Sequence, residues 1–203
     1  EAREYERNSF MPIKNEAEKL GIKLETLYKA TNDINREITG EAKRGNYDLL
    51  LVGGSHSLFS NDVVGGKVKT FMEGSRCHVG VLVDRDFEDA KGIAVLLQDV
   101  NDLFLLSFAE CFIVNNGATV MLADPHRLLK SNLTFSRAFD KISRAYPERL
   151  QVFESHSADP HHIQAFNLML ISASGWKDLS RTGHPWLQAL TSVLILKPQG
   201  DDI

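Results

Sequence analysis

Seven short apolar runs punctuate the chain: Leu49–Val52, Val79–Val83, Ile93–Leu97, Ala118–Leu122, Leu150–Phe153, Leu168–Ile171 and Val193–Leu196. The first stops at Gly53-Gly54, the second at Asp84, and the fourth just before Asp124-Pro125. Continuous runs of this length, bounded by turn residues, suit strands buried on both faces of a parallel sheet. Between them the apolar spacing turns helical. Residues 2–19 carry Phe10, Ile13, Ala17 and Leu20, with Pro12 expected to break the helix or restart it and Gly21 to close it. Ile22, Leu24 and Leu27 alternate in part and predict a strand over Ile22–Tyr28. Thr31 or Asn32 caps a helix whose inner face is Ile34, Ile38 and Ala42, ended by Gly45.

Val64, Val68, Phe71 and Met72 mark a helix that stops at Gly74-Ser75. After a polar link, Arg85 to Lys91, a helix opens at Asp99 or Asn101. It presents Leu105, Phe108, Ala109, Phe112 and Ile113 inward and stops at Asn116-Gly117. Residues 131–146 form an amphipathic helix through Phe135, Ala138, Phe139, Ile142 and Ala145. Ser172 to Gly175 reads as loop and Pro185 to Leu190 as a short helix.

The stretch 46–84 carries the candidate chemistry. A strand runs into Gly53-Gly54, a polar loop spans Ser55 to Asp62, and Gly65, Gly66 and Lys67 open a helix. Glycines let backbone approach a ligand, and a helix start offers free N–H groups and a positive dipole end, so a phosphate fits there. The plainer use of the same glycines is to make tight turns.

Tyr47-Asp48-Leu49-Leu50-Leu51-Val52-Gly53-Gly54, the loop, Gly65-Gly66 with its helix, and Cys77-His78-Val79-Gly80-Val81-Leu82-Val83 resemble the last third of a universal stress protein domain. The family's nucleotide motif there is Gly-x-x-Gly, a spacer, then Gly-Ser/Thr. Counted from Gly53, the second glycine falls on His56, and after nine intervening residues come Gly66 and Lys67. The first and third glycines match, and lysine replaces the hydroxyl residue. Ser57-Leu58-Phe59-Ser60-Asn61-Asp62-Val63-Val64-Gly65-Gly66 resembles the cytosolic tail of bacterial monovalent cation:proton antiporter-2 proteins.

The resemblance implies an α/β fold of two consecutive parallel-sheet, universal stress protein-like (adenine nucleotide alpha hydrolase-like) units, 1–87 and 88–203. The strand, loop, helix and strand of 46–84 recur over 166–197. The second unit holds all five strands, without the glycine motif and with only His161 to Phe166 where a helix precedes the fourth strand. The first unit starts late, lacking its first strand, helix and strand. The last strands of the units, 79–83 and 193–197, are expected to pair edge to edge.

The resemblance further implies a cytosolic regulatory domain without catalysis of its own, at the cytoplasmic face of the inner membrane. It would bind an adenine nucleotide such as ATP through Gly53, Gly54, Gly65, Gly66 and Lys67, form a homodimer, and follow a membrane-embedded antiporter region upstream. The alternative is a free-standing tandem stress protein binding ATP.

Composition narrows the rest. The 203 residues carry a net charge of -4, which argues against a nucleic-acid partner. No apolar run approaches the ~18–20 residues needed to span a bilayer, the charged opening is no signal peptide, and a start at Glu1 suggests a fragment or processed chain. Cys77 and Cys111 lie outside any CxxC spacing and suit reduced thiols, with a single bridge between them left open. His156, Asp159, His161 and His162 are ligand-like in type but match no metal spacing, so a polar surface loop is the better reading. Ser55-His56-Ser57 reads as loop capping, Asp84 and Asp99 as turn carboxylates near strand ends, and Trp176 and Trp186 as packing or interface residues.

Overall fold

The computed structural model describes residues 2–54, 66–153, 163, 165–182, 187 and 190–200. They belong to two compact units, 1–37 and 38–203. In the first, α1 (Ala2–Lys19) runs without interruption through Pro12, so the hydrogen bond lost at the proline does not end the helix as expected from sequence. It ends on Gly21 at φ +66°, where Gly21 N–H donates to Glu18 O and Ile22 N–H to Ala17 O. That left-handed stop is the one glycine permits.

The strand expected over Ile22–Tyr28 is absent. Ile22 and Leu27 are each 58% exposed. The described residues of this unit supply no neighbouring strand, and alternation without a partner ladder does not make one. The helix α2 (Ile34–Arg44) is capped by Asp33, whose Oδ1 accepts Arg36 N–H at 3.0 Å, rather than by Thr31 or Asn32. Ile34 is exposed, not inward; Ile38 and Ala42 keep the inner face.

The second unit is built on one seven-stranded sheet: β1 (Leu49–Gly53), β2 (His78–Val83), β3 (Gly92–Leu96), β4 (Thr119–Ala123), β5 (Leu150–Phe153), β6 (Leu168–Ser172) and β7 (Ser192–Lys197). Their order is β1-β2-β7-β6-β3-β4-β5. Every neighbouring pair is parallel except β2 and β7, which run antiparallel with Gly80 opposite Leu196 and Leu82 opposite Leu194. The edge-to-edge pairing expected from sequence is therefore present.

Helices cover both faces. Phe71 and Met72 of α3 (Gly66–Gly74) join Val193, Ile195 and Trp176 in one core. Leu105 and Ala109 of α4 (Phe104–Asn116), with Phe135 and Ile142 of α6 (Leu133–Ala145), join Leu194 and Leu196 in the other. Alternate β7 side chains thus serve opposite cores, as strand geometry requires. In α4, Leu106 is buried, while Phe108 and Phe112 are only half-buried. A short turn, α5 (Leu128–Ser131), hangs from the buried Asp124, whose two oxygens accept Leu128 N–H and Leu129 N–H at 2.8 Å.

Two further expectations change. β1 is not buried on both faces: Leu50 and Val52 pack into one core, but Leu49 and Leu51 are exposed, because the core on the other face does not extend over this edge strand among the described residues. Residues after Ser172 are not loop but helix α7 (Ala173–Arg181), which starts at once because the Ser172 Oγ accepts Gly175 N–H at 3.1 Å. Most of Pro185–Leu190 lies outside the described residues. Cys77 is buried, Cys111 is exposed, and both are free thiols. Among the described residues no helix is long and apolar enough to cross a membrane.

Candidate functional site

From β3 the sheet grows through β4 to β5 in one direction; from β6 it grows to β7 in the other. Strand order therefore reverses between β3 and β6. The chain leaves β3 for α4 on one face and β6 for α7 on the other. Helices departing to opposite faces leave a crevice beyond the carboxyl ends of the two strands. A cleft of about 410 Å³ lies there, within the range of small-molecule sites. Asn101, Asp102 and Phe104 line it from the α4 side, Ser172, Ser174, Lys177, Asp178 and Arg181 from α7, and Lys197 from the end of β7.

Asp102 is the centre of this wall. It sits in a 3-10 turn (Val100–Leu103) whose cap is Asp99, and it is fully buried. Its Oδ2 accepts Gln98 N–H at 2.6 Å and Asp99 N–H at 3.2 Å. Its Oδ1 is buried and meets no donor in full bonding geometry among the described residues. Burial pushes the carboxyl above its ordinary value of 3.8, while the nearby Ser172 hydroxyl and the Gln98 and Asp99 amides pull the other way; the Asp99 charge adds to the rise. Ser172 comes close enough to favour the ionised form without meeting Oδ1 in bonding geometry. Its Oγ instead accepts Gly175 N–H and shares a 3.1 Å hydrogen bond with Ser174 Oγ.

The cationic side is built differently. Lys197 is buried, and its Nζ donates to Met72 O at 2.6 Å, neutralising a carbonyl in the last turn of α3. Lys177 and Arg181 lie on the exposed part of α7, where Arg181 faces Asp178 at 3.7 Å. Gly175 sits in a tight place: a Cβ there would meet Gln98 Cγ and Ser172 Oγ at 3.1 Å, so any other residue would push these side chains aside by a few tenths of an ångström.

The structure fixes only the two ends of the loop singled out by sequence. Gly53 ends β1, and among the described residues a Cβ there would meet nothing. Gly54 is held close, its N–H donating to Leu82 O at 2.7 Å and its α-carbon facing Val81 and Val83. Gly66 starts α3 at φ +49°. Residues 55–65, Gly65 among them, and the Lys67 side chain lie outside the described residues, as do His156, Asp159, His161, His162 and Trp186. Asp84 and Asp99 serve turns: Asp84 Oδ1 accepts Phe87 N–H at 2.9 Å, and Asp99 Oδ1 accepts Asn101 N–H at 2.6 Å.

Sequence reasoning missed Asp102, Ser172 and Lys197 as site residues. The signals were present in the Asp99-x-x-Asp102 spacing of a capping box and in a hydroxyl and a lysine closing apolar runs.

No family model and no curated protein sequence matches the chain. Solved structures do. A universal stress protein from Archaeoglobus fulgidus DSM 4304 matches 98% of this chain and 78% of its own, at 14% identity and a TM-score of 0.58. The fold is universal stress protein-like. The cytoplasmic domain of a prokaryotic cation chloride cotransporter matches 97% of this chain and 81% of its own, at 12% identity and a TM-score of 0.59. A putative universal stress protein from Pseudomonas aeruginosa UCBPP-PA14 matches 95% and 78%, at 16% identity and a TM-score of 0.52. These identities speak for the stress protein-like fold alone. Within it, the cleft occupies the strand-order reversal of β3 to β7.

Proposed function

We propose that the chain is a cytosolic regulatory domain of a cation:proton antiporter, built as two stress-protein-like units, 1–87 and 88–203, with no catalysis of its own. The observation that supports it best is the join of two parallel strand–helix–strand modules, β1-α3-β2 and β6-α7-β7, through the antiparallel β2·β7 ladder. One continuous sheet of this kind transmits a change at one module to the other through packed strands. The likeness to a transporter's cytoplasmic domain supports the setting, and the antiporter resemblance of residues 57–66 supports the transporter class. In this reading a membrane-embedded region precedes the chain, the domain lies at the cytoplasmic face of the inner membrane, and copies associate as a homodimer. An adenine nucleotide rests against Gly53, Gly54, Gly65, Gly66 and Lys67.

Calorimetry with ATP, ADP and AMP tests the ligand. Gly53→Val is the variant of choice, because a side chain there meets none of the described residues, whereas valine at Gly66 would strain a backbone held at φ +49°. Nucleotide binding by the wild type and its loss in Gly53→Val support the reading; equal binding by both removes the loop as the site. Cation-driven proton exchange by the full-length protein in membrane vesicles tests the setting. A full-length protein with no such exchange, and no membrane spans upstream, leaves the free-standing tandem stress protein that the Archaeoglobus likeness favours.

A further inference from the structure

We propose that two copies of the chain join their sheets through antiparallel pairing of β1 with itself, centred on Leu51. The inference rests on the homodimer reading given above and names the strand that carries it. Three observations lead there.

The first is which edge is open. β2 and β7 are used up in pairing with each other, so neither is free to meet a second copy. The sheet ends instead at β1 and β5. β5 turns the polar Gln151 to solvent and keeps Leu150 buried. β1 leaves Leu51 54% exposed and Leu49 36% exposed. Its sequence, Leu-Leu-Leu-Val-Gly, holds no charged residue and no proline, the usual guards of an open edge.

The second is the direction of the backbone groups. Gly54 N–H donates to Leu82 O, and Asp48 O accepts His78 N–H, so the even-numbered residues of 48–54 turn their N–H and C=O toward β2. The N–H and C=O of Leu49, Leu51 and Gly53 therefore point the other way, out of the sheet. Among the described residues no strand pairs with them.

The third is that this edge complements itself. Turned end for end about its central residue, β1 sets Leu51 against Leu51 and Leu49 against Gly53 of the second copy. That register pairs the whole strand. It also matches outward residues with outward residues, so each pair exchanges both of its N–H···O bonds. The side chains agree with it. Leu49, Leu51 and Gly53 share one face of the strand. Leu49 lies beside Gly53 of the second copy, where a Cβ would meet nothing among the described residues. Leu51 leans over Gly80 next to Leu194 and Leu196, the Cδ1 of Leu51 standing 3.2 Å from where a Gly80 Cβ would be. The paired Leu51 side chains thus extend the core of the α4 face across the junction. A slip of one residue would set Leu51 against Leu50, which faces the other core, and lose the match.

Sedimentation velocity on the purified chain tests the pairing. A reversible dimer with a Kd of about 10–100 μM is expected, the weak range that suits a small interface. Leu51→Lys sets like charges against each other at the centre and should weaken association about tenfold or more. The side chain it changes is exposed, so the variant folds, and an unchanged melting temperature of the dilute protein checks this. Cysteines fix the register, in a Cys111→Ser background that removes the exposed native thiol. Leu51→Cys should give a disulfide-linked dimer on mild oxidation, because the Cα atoms of a bonded antiparallel pair stand about 5.5 Å apart. Leu49→Cys alone should give none, and Leu49→Cys/Gly53→Cys should restore it. A chain still monomeric at about 1 mM would overturn the homodimer reading and this pairing together. A dimer that Leu51→Lys leaves intact, or that Leu51→Cys fails to cross-link, or that Leu49→Cys cross-links alone, would overturn the pairing and leave the homodimer standing.

Discussion

The modules β1-α3-β2 and β6-α7-β7 share a layout and differ in almost everything their neighbours decide. Both are parallel pairs linked through a helix on the same face of the sheet. β6 lies between β3 and β7, and every residue of it is buried; β1 has β2 on one side, and its residues alternate between exposed and half-buried. Leu49-Leu50-Leu51-Val52 and Leu168-Met169-Leu170-Ile171 are nearly interchangeable as text. What separates them is position in the strand order. Apolar patterning specifies that a strand forms, and topology specifies how much of it is worth burying.

The contrast is broken most forcefully by truncating one leucine in each module. Leu170 is fully buried between the two helix layers, while Leu51 is 54% exposed. Leu170→Ala should cost about 2–5 kcal/mol, the sum of lost transfer and a residual cavity. Leu51→Ala should cost less than about 0.5 kcal/mol, as exposed substitutions do. Denaturant midpoints at unchanged slope read both. Similar losses would mean that β1 is covered in solution by something beyond β2.

A finer cut uses adjacent glycines at the end of β1. A Cβ on Gly54 would lie 3.0 Å from both Val81 Cγ1 and Val83 Cγ2 and 3.3 Å from Leu82 O, so β2 must yield. A Cβ on Gly53 meets nothing among the described residues. Gly54→Ala should therefore destabilise by about 1–3 kcal/mol through overpacking. Gly53→Ala should stay within about 0.5 kcal/mol of the wild type. Thermal melts of the pair show whether Gly-Gly is one motif or a packing residue beside a permissive one.

The same two modules explain what was legible in the sequence. The seven apolar runs found all seven strands, and Leu150–Phe153 coincides with β5. Edge and centre were not legible, because a run of leucines carries no record of its neighbours. Ile22, Leu24 and Leu27 show the limit from the other side: their alternation has no partner strand in their own unit and stays coil. Helix α7 was hidden by Gly175, which helix propensity disfavours but which the close approach to Gln98 favours. Asp102 was hidden because its spacing from Asp99 announces a helix start whether or not one oxygen is left over. The glycine loop stood out for a familiar local pattern, whereas the cleft is assembled from residues 70 to 95 positions apart along the chain, such as Asp102 with Ser172 and Lys197.

Protonation of Asp102 sharpens the comparison on its smallest scale, since the turn carboxylate of the first module, Asp84, stands exposed at the end of β2. Burial raises the Asp102 carboxyl above 3.8, so between 3.8 and the raised value the folded chain holds a proton that the unfolded chain has released. The stability this proton brings is complete below 3.8 and is lost as pH rises through the folded value. One site limits the slope to about 1.4 kcal/mol for each pH unit. In Asp102→Asn that slope disappears, while the weaker acceptance of Gln98 N–H adds an offset that does not vary with pH. Melts of both proteins from pH 3.8 upward should therefore show the wild type losing ground to the variant across the window and then running parallel to it. Parallel curves throughout would mean that the Asp102 carboxyl titrates alike in the folded and the unfolded chain.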